Sequence, residues 1–169
     1  MFVCTGNICR SPMAERLALA YVARYGIQNL KGSSAGTHAL SGHPIERNAA
    51  LVLEELGGEA SNFAARRLTP RIAEEADLVL TMTRAHRDTV LELAPHQLRR
   101  TFTLSEAARL ATEFRARSVA DLAALRPQMA AHGVTDIPDP IGKNAAVFAA
   151  VGSQIADLLP PILRLCADE

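Results

Sequence analysis

The sequence predicts an α/β fold, a single domain over residues 1–169 in which a parallel sheet carries helices on both faces. Short apolar runs alternate with longer helical patterns, the signature of βαβ units. Ala and Leu dominate while aromatics make up only 4% of the chain, so the core is expected to form from aliphatic contacts. No repeat, low-complexity tract or Pro/Gly-rich linker divides the 169 residues, a length that suits one core.

The elements follow in order. Residues 1–4 form a short apolar strand that stops at the Thr5-Gly6-Asn7 turn. Only three residues precede Cys4, against the usual five or six or so of a strand, which points to a native polypeptide beginning upstream of Met1. Ser11 is expected to cap a helix with Pro12 at its first position; Met13, Leu17, Ala20 and Tyr21 recur on one face, and Gly26 closes it. Residues 30–37 read as a second, weaker strand, followed by a loop with Gly42 and Pro44 and a helix over 45–56. Residues 77–82, Asp-Leu-Val-Leu-Thr-Met, are the clearest strand, apolar and bounded as a buried parallel strand should be. A helix over 84–94 leads to a fourth strand at 101–104 and then to an Ala- and Arg-rich amphipathic stretch, residues 105–132, expected to be helical with solvated charges. Two prolines and a glycine make 136–142 a loop. A last helix starts near Ala145 and turns Val147, Val151, Ile155, Leu158 and Ile162 inward, with Pro160-Pro161 expected to kink or interrupt its end.

Composition narrows the function. Lys plus Arg (18) equals Asp plus Glu (18), which disfavours a nucleic-acid partner. No apolar run reaches about 18 residues and no basic leader precedes one, so the expectation is a cytoplasmic protein with no membrane partner. Cys4, Cys9 and Cys166 are an odd, sparse set that suits a reducing compartment rather than a disulfide framework.

The chemistry concentrates in Cys4-Thr5-Gly6-Asn7-Ile8-Cys9-Arg10-Ser11, where the first strand feeds the first helix. A tight loop ending at a helix N-terminus turns several backbone N–H groups inward, so residues 5–10 make a concave site for a phosphate-sized oxyanion. Arg10 can fork onto two of its oxygens, and Cys4 opens the same loop. The amides, the helix terminus and Arg10 together favour thiolate over thiol, giving a nucleophile. The Ser11 hydroxyl is placed to donate to the sulfur. A lone Cys at a strand end would read as a small core residue; the coincidence of Cys, loop, Arg and Ser-Pro helix start reads as a site. Phosphoryl transfer through sulfur also needs an acid for the leaving oxygen. Asp139, between Pro138 and Pro140, is the first candidate and Asp136 the weaker one. His38, His43, His86, His96 and His132 show no metal-ligand spacing and read as surface or core residues, and neither metal nor cofactor is called for. Arg66-Arg67 and Arg99-Arg100 read as solvated faces, with docking of an acidic peptide the secondary reading.

At these residues the chain resembles the low-molecular-weight protein tyrosine phosphatase family. The matching stretches are FVCTGNICRSPMAE at 2–15, SSAGTHAL at 33–40, ADLVLTM at 76–82 and IPDP at 137–140. The resemblance implies a four-stranded parallel sheet and a two-step reaction on a phosphorylated protein substrate. Cys4 attacks phosphorus, Asp139 protonates the leaving oxygen, and Asp139 then activates water. It also implies that Asn7 shapes the loop with Ser34 as its partner. Cys9 resembles the second cysteine that in some members forms a reversible disulfide with the nucleophile. Three features depart from the family pattern. Ile141-Gly142 stand where many members have two tyrosines, and Leu40 stands where an aromatic often lines the opposite wall, so Leu40 and Ile141 are the expected substrate walls. Thr83 stands where an Asp is common. Related phosphoarginine phosphatases resemble the chain in its CTGN and SPMAE flanks and Met-Thr pair, yet typically carry Thr at the position of Ile8. Phosphotyrosine therefore ranks first and phosphoarginine second. An arsenate reductase of the same fold would need relay cysteines mid-chain, and a non-catalytic phosphopeptide-binding module would need only the loop and Arg10.

Overall fold

The computed structural model of the chain describes residues 1–129 and 133–167, so His132 lies outside the described residues. Four strands, β1 (Phe2–Cys4), β2 (Ser34–Gly36), β3 (Val79–Thr81) and β4 (Thr101–Thr103), form one parallel sheet in the order β2-β1-β3-β4. Val3 registers with Ala35 on one side and Thr81 on the other. Strand order reverses at β1, so the crevice beyond its carboxyl end is where an open parallel sheet of this kind binds ligands.

Side-chain alternation assigns the two faces. Phe2, Cys4, Leu80 and Phe102 point into the larger core, and Val3, Ala35 and Val79 into the smaller one. The larger core is roofed by α1 (Arg10–Tyr25), α2 (Arg47–Glu55), α5 (Leu104–Thr112), α6 (Val119–Leu125) and α7 (Ala145–Ala167). The smaller lies under α3 (Pro70–Glu74) and α4 (Arg84–Leu93), which supply Ala73 and Val90.

Several expectations are corrected. Helix α1 begins at Arg10 with Cys9 as its N-cap residue and no side-chain cap, so Ser11 lies inside the first turn. Its buried face is Met13, Ala14, Leu17 and Ala18, with Ala20 and Tyr21 only partly covered. The second strand shrinks to three residues, and α2 begins at Arg47 because the Glu46 carboxylate accepts from Ala49 N–H. Helix α3, capped by Thr69 with Pro70 at its first turn, was not anticipated. Leu104 opens a helix instead of closing β4, since Thr103 and Glu106 form a reciprocal capping box.

The stretch 105–132 is not one helix. Helix α5 ends at Thr112, Arg115 takes a left-handed φ of 57°, and Ser118 caps α6. Nor are all its charges solvated. Glu106 is buried, accepts from Arg126 Nε at 2.9 Å and lies 3.7 Å from Arg87. The Arg126 guanidinium stacks 3.8 Å from the Phe102 ring centroid.

Helix α7 runs through Pro160 and Pro161. The two missing N–H groups leave the carbonyls of Ala156 and Asp157 without helical donors, yet Leu159, Ile162, Leu163 and Leu165 keep the face buried on both sides of the break. By length and composition alone this helix could cross a membrane; its buried face packs against α1, α2 and α5.

Candidate active site

The loop between β1 and α1 closes around Asn7, the one residue in it with a left-handed backbone, φ 54°. Asn tolerates that region because its short side chain can bond locally. Asn7 is fully buried and uses its whole amide: Nδ2 donates to Ser11 Oγ at 2.9 Å and to Ser34 Oγ at 2.8 Å, and Oδ1 accepts Arg66 N–H at 2.8 Å. Ser34 passes its own hydrogen to Glu15 Oε2 at 2.6 Å. With one lone pair of Ser11 occupied by Asn7, its hydroxyl hydrogen faces Cys4 Sγ at 3.0 Å, closer than Ala35 O at 3.5 Å. A carboxylate, two hydroxyls and an amide thus form one chain ending on the sulfur.

Neighbouring backbone holds the loop from outside. Thr37, His38 and Leu40 N–H donate to the carbonyls of Cys4, Thr5 and Gly6 at 2.9 to 3.0 Å, and Glu46 N–H donates to Ile8 O at 2.7 Å. With its carbonyls turned outward, the loop has its remaining N–H groups to offer an anion. Gly36 permits this packing, because a Cβ there would stand 2.4 Å from Thr5 O.

Arg10 is 4% exposed and divides its guanidinium between two partners. Nη1 donates to Ile137 O at 2.9 Å, and Nη2 pairs with Asp139 Oδ2 at 2.8 Å. The Asp139 side chain is 49% exposed, and its other oxygen accepts Ile141 N–H at 3.2 Å. The same loop is anchored by buried Ile137, whose N–H donates to Met82 O at 2.9 Å. Asp136 is engaged elsewhere, accepting Arg84 N–H at 2.9 Å at the start of α4. Of the two candidate acids, Asp139 is the one brought to Arg10.

Cys4 and Cys9 are both buried free thiols. Burial pushes the Cys9 thiol far up from its ordinary value, with Cys4 adding to the rise, so Cys9 serves as a neutral, buried part of the loop. Leu40 and Ile141 are exposed at 49% and 45%, on segments tied respectively to Gly6 and to Asp139.

The sequence reading missed the part played by three residues. Glu15 ends the hydroxyl chain, four positions after Ser11 and thus on the same helix face. Arg66, exposed as the solvated reading expected, also bonds Asn7 through its backbone N–H and Ser34 O through Nε at 2.8 Å. His86, grouped with the other histidines, is buried against the loop: Nε2 lies 2.8 Å from Thr5 Oγ1 and Nδ1 2.9 Å from Thr83 Oγ1. Burial, reinforced by the Arg10 charge, holds the imidazole down to a pKa of about 4. The Thr-x-x-His spacing, in which Thr83 caps His86 N–H, was the available signal.

Comparison with known proteins agrees with this geometry. A model of the low molecular weight phosphotyrosine protein phosphatase family matches residues 1–121. The chain is 41% identical over 95 residues to the low molecular weight protein-tyrosine-phosphatase Etp of Escherichia coli (strain K12), a match spanning 56% of this chain and 61% of that protein. It is 37% identical over 106 residues to a protein-arginine-phosphatase of Geobacillus stearothermophilus, spanning 63% and 68%. The crystal structure of a low molecular weight protein tyrosine phosphatase from T. tengcongensis superposes with a TM-score of 0.76 at 29% identity, covering 95% of this chain and 94% of that one. The matched residues 1–121 carry the anion loop but stop before Asp139, whose place beside Arg10 is a result of the fold alone. On these grounds the chain belongs to the low molecular weight phosphotyrosine protein phosphatase family.

Proposed function

We propose that residues 1–169 act as one phosphatase domain that hydrolyses phosphotyrosine in protein substrates through a phosphocysteine intermediate, in the cytoplasm. The observation that carries this reading is the convergence at Arg10: its loop holds Cys4 Sγ 3.0 Å from Ser11 Oγ, and its guanidinium pairs with Asp139 at 2.8 Å. Nucleophile, anion cradle and acid therefore share one centre. The odd, sparse set of three cysteines in the sequence fits a reducing compartment.

In the first step the Cys4 thiolate forms a bond to phosphorus as the ester P–O bond breaks, and the Asp139 carboxylic acid gives its proton to the departing oxygen. Thr5 to Arg10 N–H groups and the Arg10 fork hold the equatorial oxygens, where charge is spread in such transition states. In the second step Asp139, now a carboxylate, takes a proton from water as that water attacks phosphorus. The S–P bond breaks, phosphate leaves, and the Ser11 hydroxyl stabilises the restored thiolate. The pH–rate profile is bell-shaped, with one limb for the nucleophile or substrate and one for the acid.

A second reading, hydrolysis of phosphoarginine, is supported by the mouth: the walls are aliphatic, Leu40 and Ile141, where a phenyl ring would gain from stacking. A relative at 37% identity bears the name protein-arginine-phosphatase. The test is a side-by-side kinetic comparison of phosphotyrosine, phosphoserine and phosphoarginine peptides. A higher kcat/KM for phosphotyrosine upholds the first reading, a higher value for phosphoarginine replaces it with the second, and no turnover of any of the three ends both.

A further inference from the structure

Buried beside the anion loop is a hydroxyl–imidazole–hydroxyl relay that the proposed phosphatase chemistry does not use. Thr83 Oγ1 accepts His86 N–H at 3.1 Å as the cap of α4 and lies 2.9 Å from His86 Nδ1. On the far side of the ring, Nε2 lies 2.8 Å from Thr5 Oγ1. Thr5 directly follows the nucleophile and is exposed, whereas His86 is 7% exposed. The ring lies within the electrostatic reach of Arg10, Asp139 and Asp136, so this relay stands at the mouth of the same site.

Two hydrogen patterns fit these contacts, and one of them frees a hydroxyl hydrogen at Thr5. Thr83 Oγ1 has one hydrogen to give, and the nearest acceptor is Nδ1. A ring that accepts at Nδ1 carries its single proton on Nε2, and burial favours that neutral form. Nε2–H then donates to Thr5 Oγ1, which fills a lone pair on that oxygen and leaves the Thr5 hydroxyl hydrogen pointing away from the ring.

We infer that His86, as the neutral Nε2–H tautomer, is a positioning residue that fixes Thr5 Oγ1 as an acceptor and thereby turns the Thr5 hydroxyl hydrogen toward an oxygen of the bound phosphomonoester. The inference rests on the phosphatase reading for its substrate, but the ring's tautomer does not. In the opposite arrangement, with Nδ1–H donating to Thr83, Thr5 would give its hydrogen to Nε2 and have none for a substrate.

Two measurements test this. Imidazole ¹⁵N NMR of the intact protein at pH 7, with the His86 signals assigned by their loss in His86→Gln, is expected to show a protonated Nε2 and an unprotonated Nδ1. The Nδ1–H tautomer or a cationic ring overturns the inference, whatever the activity. In steady-state kinetics with phenyl phosphate, Thr5→Val is expected to lower kcat/KM about tenfold, the scale of one hydrogen bond to a charged group, and Thr5→Ser to keep it within about twofold of the parent. Adding His86→Gln to Thr5→Val costs nothing further if His86 acts through Thr5. Losses that multiply, or a Thr5→Val enzyme as fast as the parent, overturn it. A parent with no turnover while the NMR shows Nε2–H indicts the phosphatase reading instead.

Discussion

The two halves of the site are built differently. The anion loop, residues 4–11, is buried and fixed several times over: Asn7 makes three hydrogen bonds, four loop carbonyls are held by outside N–H groups, and only Thr5 is exposed. The acid loop, 136–142, is anchored by Ile137 and the Arg10–Asp139 pair, and leaves Asp139 half exposed. An attacking atom needs a fixed trajectory, because small misplacements of reacting atoms are costly. An acid that serves leaving groups of different shapes, and then water, needs access more than rigidity.

This contrast can be broken or sharpened by experiment, beginning with the largest effect. Cys4→Ser is expected to lower kcat for phenyl phosphate by at least about 10⁴-fold, since it removes the nucleophile, with a melting temperature close to the parent's. Retained turnover in a steady-state assay would show that the rigid half is not where the chemistry starts. Asp139→Asn is expected to lower kcat about 10²- to 10⁴-fold with phenyl phosphate and much less with p-nitrophenyl phosphate, whose leaving group needs little protonation. Its stability should fall by about 1 kcal/mol, because the buried Arg10 guanidinium loses its charged partner while Asn keeps an oxygen to accept from it. Equal losses on the two esters would remove Asp139 from the acid role.

Asn7→Ala tests the rigid half as structure. It leaves Ser11, Ser34 and Arg66 N–H short of a partner and puts Ala at φ 54°, so denaturant unfolding should show a loss of about 3 kcal/mol. A loss no larger than that of Asp139→Asn would contradict the comparison. The smallest effect is on pH. His86 is held down to about 4 when folded and titrates near its ordinary value of about 6.5 when unfolded. Between those values the unfolded chain binds more protons, so stability rises with pH through this window and falls on acidification. Urea titrations should show this fall across the window, and His86→Gln should flatten it.

What the sequence made legible was local. The loop from Cys4 to Ser11 and strand β3 follow from motif and apolar pattern, and Asp139 is preferred to Asp136 for its flanking prolines. The Asn7–Ser34 partnership is what the family resemblance implies, and the fold places those two side chains 2.8 Å apart and Asp139 beside Arg10. Some of the misses are local competitions for a side chain, and others are contacts between residues far apart in sequence. Ser11 looked like a cap because its position before Pro12 allows one, but its hydroxyl is claimed by Asn7 and Cys4. Arg66 and Arg126 looked solvated because an Arg's partner is not written beside it; theirs are Ser34 and Glu106, 32 and 20 residues away. The 105–132 stretch read as a single helix because Ala and Arg favour helix throughout, and nothing local announces the left-handed Arg115 that divides it.

The contact between Arg10 and Asp139 also bears on how any oxyanion is received. One arm of the guanidinium is neutralised by a tethered carboxylate, so an incoming oxyanion competes with Asp139 for it. Admission is an exchange of one negative partner for another, and measured affinity reports only the margin between them. A monoanion offers the cation little beyond what it already has, whereas a dianion offers a second charge. On the proposed chemistry, that competition gives the site a preference for dianions.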